Sequence, residues 1–533
     1  MTTNRGPQLC FMLGAVLLMT TSHVQASGHL GVLARCRAAD ANAPVAVRLF
    51  GGPDKETAVI VCDMWDKHWC KSATARVVEL APRIDAFCQA ARQRGAIIVH
   101  APSACMKHYE NHPARLRIQR IKHDAKPPKG INEWRRRLPG EPDLPIEVGS
   151  EGGCPDDPPC KHGRPWTRQI EKIAIDADRD FISDSGEEIW RVFELRGIRR
   201  VMLVGVHANM CVLGRPFGLR QWVRLGRDVA LVRDLTDTMY DPRRPPHVSH
   251  FHGTDLLVAH VERYVCPTIS SHDVLGPRGP FHFKADKRPD LLIVSAEDEY
   301  ETARTLPQWA EKHLAADYRI HYAIGDPNAR TIIPGIDQLY FSDVGVFSIR
   351  RWPMRPGQMG YVRNFIEAGK ALVAIRTSSH AFAARAGAAP RGVEQWPDFD
   401  QEVLGVHYTG HYSNHKPGSP PTLVWVEAKG KDHPVVAGVP AGRIKVTSWL
   451  YKSSPISKGT DVLMSGVVEG FDEVQPVTVA RKTDAGGCVA YTSLGHPDDF
   501  RQEWFARMLA QAVRWAAAGA AKRPPRPHKI TWE

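Results

Sequence analysis

The clearest fold signal in the 533-residue chain is Val201-Met-Leu-Val-Gly-Val-His-Ala-Asn-Met-Cys211-Val-Leu-Gly-Arg-Pro-Phe-Gly-Leu-Arg220. Its first six residues, through Val206, are almost all apolar, which is typical of a short strand covered on both faces of a parallel sheet. A polar turn follows at 207–209, and then residues with helical spacing run toward Trp222. Cys211 therefore lies where a parallel strand gives way to a helix, and Pro216 predicts a kink or restart in that helix.

The position of Cys211 has two interpretations. At the start of a helix the dipole lowers the pKa of a thiol, and the thiolate is a nucleophile whose oxyanion product the backbone N–H groups can hold. Alternatively, Cys211 is a buried structural cysteine, since free cysteine is among the most buried residue types. The choice between them depends on whether the thiol has a catalytic partner.

Asp63 is the candidate partner. It ends another apolar run, Thr57-Ala-Val-Ile-Val-Cys-Asp63. If both runs are parallel strands of one sheet, Asp63 and Cys211 emerge at the same carboxyl edge, where open α/β sheets bind their ligands. A buried aspartate beside a cysteine can take the thiol proton and later return it to a leaving amine. The alternative is a loop carboxylate that caps a nearby helix.

These stretches resemble the isochorismatase-like cysteine hydrolases, a family that includes nicotinamidases and related amidases. The similarity spans about 57–271 and is most specific in Gly205-Val-His-Ala-Asn-Met-Cys211-Val. Asp234-Leu-Thr-Asp-Thr-Met-Tyr240 and His250-Phe-His-Gly-Thr-Asp255 are also similar to family segments. The resemblance implies a parallel sheet with helices on both faces and attack by a cysteine on an amide-like carbon. It further implies that Cys211 is the nucleophile, that Asp63 is the base, and that the peptide bond between Val206 and His207 is cis.

One family residue is missing. The family's third catalytic residue is a lysine shortly before a Ser-Ala-Phe-like motif, and here the matching region has no lysine at the usual offset from Phe181. Lys172 is too far upstream, so Arg179 or Lys107 would have to supply the positive charge. The alternative is a catalytically degenerate first domain, with the protein acting as a carbohydrate-binding or scaffolding protein through its second half.

Three further residues are expected to shape the substrate pocket. Trp65 follows the base and could stack on a flat substrate, although a core position is an equal alternative. His207 and Asn209 flank the nucleophile and could donate to a substrate carbonyl. We expect a small-molecule substrate and no cofactor.

Metal binding is not expected from the sequence. Many relatives hold a metal through an aspartate and two histidines, but His68, His100 and His108 form no His-x-x-x-His pair or Asp-x-His element. Cys154-Pro-Asp-Asp-Pro-Pro-Cys160 could be a metal clip, yet only His162 is nearby and no second cysteine pair is visible. In an exported protein a local disulfide between these two cysteines is favoured.

The second half alternates strands and helices again, which predicts a second mostly parallel sheet. The expected strands are 290–295, 318–322, 338–342, 371–376, 423–427, 462–464, 477–480 and 488–492, and the expected helices are 300–315, 357–368 and 500–516. Phe365-Ile-Glu-Ala-Gly-Lys-Ala-Leu-Val-Ala-Ile375, Lys431-Asp-His-Pro-Val-Val-Ala-Gly438 and Tyr491-Thr-Ser-Leu-Gly-His496 resemble the trehalose-utilisation (ThuA-like) family, relatives of class I glutamine amidotransferases. The resemblance covers about 290–519 and implies a link to carbohydrate metabolism.

The amidotransferase nucleophile is absent from this half. A Gly-x-Cys-x-Gly elbow would follow the central strand, but the turn here reads Arg376-Thr-Ser-Ser-His380. A thiol mechanism is thus excluded at this elbow, and no glycine frames Ser378 or Ser379 as a replacement. His380, His433 and His496 are the candidate residues of a second site for a carbohydrate, with loop or capping roles as the alternative.

Composition and the termini complete the picture. Arg5, the short apolar core 10–19 and Val24-Gln25-Ala26 predict an export signal cleaved near Ala26, and hence a periplasmic or extracellular protein with no membrane span after cleavage. The net charge of +12 is concentrated at 115–137 without the aromatic residues of a nucleic-acid site, so no nucleic-acid partner is expected, while an oligomer is possible.

The predicted fold class is α/β, with two three-layer doubly wound domains, each a mostly parallel sheet with helices on both faces. The expected segments are a signal peptide (1–26), a poorly patterned lead-in (27–56), the first domain (57–271), a Pro/Gly-rich linker (272–289), the second domain (290–519) and a basic, Pro-rich tail (520–533).

Overall fold

The computed structural model describes residues 28–520, except 41, 123, 277–278 and 386–388. The chain divides into two compact units, Met1–Lys287 and Arg288–Glu533. The predicted signal peptide and almost all of the predicted tail lie outside the described residues. Within the described residues, no helix is both long enough and apolar enough to cross a membrane.

The first unit is built on one eight-stranded sheet. Its strands are β1 His29–Arg37, β2 Val45–Pro53, β3 Thr57–Cys62, β4 Ile97–Ala101, β5 Phe181–Ile182, β6 Arg200–Val206, β7 Asp228–Asp237 and β8 Thr268–Ile269. Its helices are α1 Lys71–Gln93, α2 Pro113–Gln119, α3 Gly186–Arg196, α4 Leu219–Arg224, α5 His250–Tyr264 and α6 His272–Leu275. The strand order is β2-β1-β8-β7-β6-β3-β4-β5, and β3 to β8 pair in parallel.

Alternation along β3 shows why the sheet is covered on both faces. Ala58, Ile60 and Cys62 belong to a core that also contains apolar residues of α3 and α5. Val59 and Val61 point to the opposite core, which contains the apolar face of α1. All six residues of β3 are buried, so the strand carries the continuous apolar run that a central parallel strand requires.

The lead-in is more ordered than the sequence indicated. Strands β1 and β2 form an antiparallel pair within it, and β1 also pairs with β8. The weak signal has a physical reason: β2 is an edge strand whose residues are mostly half-exposed, so it lacks a regular apolar face. The first unit therefore begins before Thr57, and its last helix, α6, lies inside the segment predicted to be a linker.

The second unit contains a nine-stranded mixed sheet and a separate two-stranded sheet. The strands of the two sheets together are β9 Asp290–Ala296, β10 Arg319–Ile324, β11 Val344–Ile349, β12 Ala371–Ile375, β13 Gly410–His411, β14 Thr422–Val426, β15 Ile444–Val446, β16 Tyr451–Lys452, β17 Thr460–Val468, β18 Gln475–Lys482 and β19 Cys488–Thr492. Its helices are α7 Thr302–His313, α8 Pro356–Glu367 and α9 Glu503–Gly519. The order is β10-β9-β11-β12-β19-β18-β17-β14-β15, and β13 pairs separately with β16.

The predicted α/β class is confirmed for both units. In the second sheet, β10, β9, β11, β12 and β19 are parallel, whereas the pairs from β19 through β18, β17 and β14 to β15 are antiparallel. One predicted strand is wrong: residues 338–340 of the range 338–342 belong to a 3-10 turn, Ile336–Tyr340, and the strand follows at Val344–Ile349. The apolar run Leu339-Tyr-Phe341 resembles a short strand in the sequence, whereas the buried Ile336 and Leu339 have the spacing of a helical turn.

Candidate active site

The carboxyl ends of β3 and β6 meet in the centre of the first sheet. Cys62 pairs with Gly205, so the residues that follow each strand emerge side by side. Gly205 has φ +106°, and a Cβ there would lie 2.1 Å from the Cys62 carbonyl oxygen, so only glycine fits. The peptide bond between Val206 and His207 is cis, as predicted. A π-helical turn, Ala208–Val212, then carries Cys211, and the chain restarts as α4 only after Pro216.

Asp63 is completely buried in this corner, with a left-handed φ of +47°. One of its oxygens, Oδ1, accepts a 2.7 Å hydrogen bond from the Ser103 backbone N–H. The other, Oδ2, accepts from Arg215 Nε at 3.0 Å. The Cys211 thiol lies near enough to the Asp63 carboxylate to lower its pKa. The sheet therefore brings the predicted nucleophile and base side by side.

The electrostatics of this pair differ from the sequence expectation. Burial raises the pKa of the Cys211 thiol, Asp63 raises it further, and Arg215 opposes the rise. Burial also raises the pKa of Asp63, while Arg215, Cys211 and Ser103 lower it. The thiol is only 8% exposed, so desolvation outweighs any helix dipole, and the expected low thiol pKa is wrong. The resting thiol is protonated, and its proton must pass to a base during attack.

Arg215 is the functional residue that the sequence reasoning missed. It follows Cys211 by four residues, which returns its side chain to the same side of the turn. Its guanidinium bonds Asp63 and lies 5.5 Å from the ring centroid of Trp134. The two cations proposed from sequence lie elsewhere: Arg179 pairs with Asp176 on the surface, and Lys107 is exposed. The spacing from the nucleophile was the signal that could have identified Arg215.

Trp65 belongs to an aromatic wall made of Trp65, Trp166, His68 and His207. Trp65 is 5% exposed, donates from Nε1 to the Ser103 carbonyl, and stacks on Trp166 with ring centroids 4.3 Å apart. His68 stacks 5.9 Å from Trp166 and meets the edge of His207 at 5.0 Å. Trp166 and His68 remain partly exposed, so they are the rings of this wall that a flat molecule could reach.

The two residues that flank the nucleophile have different roles. The Asn209 amide is engaged at both ends, because Nδ2 donates to the Met239 carbonyl at 2.8 Å and Oδ1 accepts from the Met239 N–H at 3.0 Å. Asn209 therefore fixes the turn, and its Nδ2 has one further N–H with which it could donate to a substrate. His207 is buried, and its Nε2 has no hydrogen-bond partner within the described residues. Burial holds the pKa of His207 well below its usual value, so the imidazole is neutral.

The histidines considered for a metal are dispersed. His68 Nδ1 accepts from the Cys70 N–H at 3.1 Å. His100 lies between Gln169 Oε1 and Asp180 Oδ2, at 3.0 and 3.1 Å. His108 is exposed. The three do not converge on Asp63.

The predicted disulfide between Cys154 and Cys160 is not present in the structure, where both are free thiols. The Sγ atoms of both residues lie against the Asp156 carboxylate, and so does that of Cys70 from the start of α1. The sequence could not show this, because Cys70 is far from the other two along the chain.

The second unit has an elbow at the carboxyl end of β12. Arg376 occupies it with φ +50° and is completely buried. Its guanidinium is enclosed by the rings of Tyr300, Trp449 and Tyr451, with centroids 4.5–4.7 Å away. Nη1 also donates to the carbonyls of Trp449 and Ser493, at 2.9 and 2.7 Å. This elbow therefore holds a buried cation where an amidotransferase would hold a cysteine.

The serines of this elbow are engaged locally. Ser378 Oγ donates to the Phe347 carbonyl at 2.9 Å and accepts from the Ile349 N–H at 3.2 Å, so it ties the elbow to β11. Ser379 Oγ lies 3.3 Å from His380 Nδ1 and is 3% exposed.

The predicted second-site histidines are only partly brought together. His380 stacks on Tyr408 at 4.3 Å, and burial lowers its pKa well below the usual value. His496 follows the adjacent strand β19, with its ring 6.5 Å from that of Trp449. His433 lies apart from this edge, where it caps the turn Pro434–Val436 and packs 4.9 Å from Trp515.

Comparison with known families covers part of the second unit. Residues 347–516 match the family model described as "ThuA: Trehalose utilisation". The second unit thus contains a ThuA domain. No curated protein matches the chain.

Similar solved structures exist for each half at low identity. A ThuA-like protein from Parabacteroides merdae is 15% identical, with 44% of this chain and 92% of that chain covered and a TM-score of 0.34. A cysteine hydrolase from Pseudomonas syringae pv. phaseolicola is 17% identical, with 42% and 92% covered and a TM-score of 0.27. An isochorismatase family protein from Burkholderia thailandensis is 12% identical, with 42% and 96% covered and a TM-score of 0.24.

Proposed function

We propose that the first unit is a cysteine hydrolase that cleaves an amide or a related C–N bond. The observation that carries the proposal is the buried Cys211 beside the buried Asp63 carboxylate, to which Arg215 Nε donates at 3.0 Å. A nucleophile in contact with a base that a third group orients is the arrangement required for covalent catalysis. The loss of the family lysine is met by Arg215.

The chemistry follows from the protonation of the pair. As Cys211 Sγ attacks the carbonyl carbon, its proton passes to Asp63, and a tetrahedral oxyanion forms. Collapse of this intermediate breaks the C–N bond, and Asp63 returns the proton to the leaving amine. Asp63 then takes a proton from water, which attacks the thioester and releases the carboxylic acid and the free thiol. The raised pKa of Asp63 suits it to both steps, because it is a stronger base than an exposed aspartate.

Arg215 has two effects in this scheme. It keeps part of the buried Asp63 ionised, since a nearby cation lowers a carboxyl pKa. It also offsets the negative charge that moves from Asp63 to the sulfur and then to the substrate. Trp166 and the rest of the aromatic wall favour a flat substrate over a flexible one.

The test combines product release with capture of the intermediate. Full-length protein is incubated with a panel of small primary amides while ammonia is measured, and acid-quenched samples are mapped by mass spectrometry. We expect ammonia release and an acyl adduct on Cys211 for at least one amide carried on a planar group. Ammonia release that persists in Cys211→Ser, or a full panel that yields neither ammonia nor adduct, contradicts the proposal.

A second candidate function concerns the ThuA domain. The rings of three residues cluster here, with pairwise centroid distances of 4.7–6.3 Å: Trp449, His411 and His415. Both histidines are exposed. Aromatic faces beside polar rings favour the binding of a sugar. We propose a carbohydrate ligand here, tested by isothermal titration with trehalose and glucose. Binding that is unchanged in His415→Ala, or absent for both sugars, counts against it.

Export is part of the proposal. Residues 1–26 read as a signal peptide, and we propose a periplasmic or extracellular location. Fractionation of cells that express the full chain, with N-terminal sequencing of the mature protein, tests this. A new N-terminus at Ser27 is expected, whereas retention of Met1 in the cell interior would contradict export.

A further inference from the structure

Three thiols and one carboxylate converge at the N-terminus of α1, outside the candidate active site. The Sγ atoms of Cys70, Cys154 and Cys160 lie 3.3, 3.4 and 3.1 Å from the same atom, Asp156 Oδ2. The ligand atoms of Cys70, Cys154 and Asp156 all lie within 4.8 Å of one another. This thiol cluster joins a loop of the long 101–180 connection to the helix that follows the base Asp63.

Hydrogen bonding does not account for this arrangement. Asp156 Oδ2 also accepts from the Ser72 N–H at 3.2 Å, so four donors point at one oxygen. A carboxylate oxygen has about two lone-pair sites. The four donors exceed these sites, so some of the thiols, of which Cys70 and Cys154 are completely buried, are left with the weak S–H donors and acceptors of their neighbours.

The distances match the edges of a tetrahedral metal site. With Zn–S of about 2.3 Å and Zn–O of about 2.0 Å, a sulfur and an oxygen ligand lie roughly 3.5 Å apart and two sulfur ligands roughly 3.8 Å apart. The observed sulfur–oxygen distances of 3.1–3.4 Å are slightly shorter. Cys160 is not part of the set of atoms that lie within 4.8 Å of one another, so its thiol would have to move toward the other two to complete the tetrahedron.

Burial and the nearby Asp156 raise the pKa of Cys70, so a bound cation is needed to hold the thiols as thiolates, and the helix start supplies N–H groups that point at the sulfurs. The Ala73 N–H donates to Cys70 Sγ at 3.4 Å, and the Lys71 N–H donates to Cys160. Both belong to the first turn of a 23-residue helix, whose dipole favours negative charge there. Ser72 donates to Asp156 from both its N–H and its Oγ–H, as expected of a residue that orients a ligating carboxylate.

We propose that Cys70, Cys154, Cys160 and Asp156 form a structural zinc site. Three soft thiolates with one carboxylate in a tetrahedral set select Zn²⁺ over the oxygen-seeking Mg²⁺ and Ca²⁺. Binding releases the three thiol protons and leaves no open position for a substrate. Cys160 and Asp156 are partly exposed, so the ion enters from their side. The site fastens the loop 154–160 to α1, and it does not depend on the proposed hydrolase activity.

The test measures metal content in full-length protein purified without chelator and kept reduced. Inductively coupled plasma mass spectrometry is expected to find about one zinc per chain, or one cobalt after exchange with Co²⁺, with a thiolate-to-cobalt charge-transfer band. Cys154→Ser and the more exposed Cys160→Ser are expected to lose the ion, and the second variant serves if the first does not fold. Ser72→Ala is expected to weaken zinc binding about 10- to 100-fold.

Cys88→Ala is the matched control, because Cys88 is a buried cysteine on the same helix, α1, and outside the cluster. It should retain one zinc per chain. Two results overturn the proposal: failure of the reduced wild-type protein to bind Zn²⁺ or Co²⁺, or full metal content in both Cys154→Ser and Cys160→Ser. A disulfide among the three cysteines in the exported protein, found by non-reducing peptide mapping, overturns it as well.

Discussion

Each unit places a sharp turn after a buried parallel strand, and the two turns hold opposite chemistry. After β6, Cys211 lies beside the buried Asp63 carboxylate. Arg215, whose side chain is 27% exposed, partly neutralises that carboxylate. After β12, Arg376 has the left-handed φ of an elbow, but its guanidinium is sealed among aromatic rings and carbonyls. The same sheet edge thus holds a cysteine beside a carboxylate in one unit and a buried cation in the other. The difference arises from the side chains at the turn and not from the fold.

The largest effect is expected when the proposed nucleophile is replaced. Cys211→Ser should lower kcat/KM for the best amide by about 10⁴-fold or more, because a serine hydroxyl is a far weaker nucleophile beside an aspartate base. Ser379→Ala, at the other elbow, should leave the same activity unchanged. Steady-state ammonia release measures both. An activity that survives Cys211→Ser and falls in Ser379→Ala would reverse the assignment of the two turns.

The next effect concerns stability in the second unit. Arg376→Met should destabilise this unit by about 3 kcal/mol, since it leaves the carbonyls of Trp449 and Ser493 without a donor and removes the cation from its aromatic cage. Hydrogen-exchange mass spectrometry of peptides from β12 and β19 reads this locally, so the first unit does not obscure it.

Arg501→Met is the control for this change. Arg501 is 80% exposed and pairs only with Asp498 among the contacts of the described residues, so its replacement should cost less than about 0.5 kcal/mol. Equal hydrogen-exchange protection of β12 in the two variants would mean that Arg376 is dispensable for stability. The structural role given to the cation at this elbow would then be wrong.

Arg215→Met tests the proposed replacement for the family lysine. We expect kcat/KM to fall by about 10²-fold, in the range for loss of one charged group at a reacting centre. The pH profile should also move. Asp63 acts as the carboxylate, so activity rises with pH through its pKa, and Arg215 lowers that pKa. Without Arg215 the acid limb should shift to higher pH. Arg179→Met, which changes a surface arginine paired with Asp176, should leave both the rate and the limb unchanged.

The sequence was sufficient for the two central strands of the first unit and for the placing of the residues that follow them. Apolar runs predicted the strands that carry Asp63 and Cys211, and the family motif predicted the cis bond before the nucleophile turn. Both features are local in sequence. Export, the substrate and the catalytic role of the pair stay predictions.

The residues that were missed depend on distant parts of the chain. The thiol cluster needs Cys70 to meet a loop more than eighty residues later, and no spacing rule predicts such an approach. The prediction of a lowered pKa for the Cys211 thiol was wrong because burial, which raises it, depends on the packed core. The sequence shows only that the thiol follows a strand at the start of a helix. The role of Asn209 in fixing the turn was missed for the same reason: its partner, the Met239 backbone, lies just after β7.

The smallest expected effect concerns recognition. Trp166→Ala removes the larger accessible ring of the aromatic wall. Among the described contacts, this ring meets neither Cys211 nor Asp63. An aromatic stack is worth about 0.5–1.5 kcal/mol, so KM for a planar amide should rise roughly 3- to 10-fold while kcat is retained. Trp166→Phe should restore most of the affinity, because a ring again faces Trp65. If Trp166→Ala instead lowers kcat and leaves KM unchanged, the ring positions the nucleophile turn, and the flat-substrate inference fails. This outcome would still leave the Cys211 and Asp63 pair intact, since the two claims rest on different contacts.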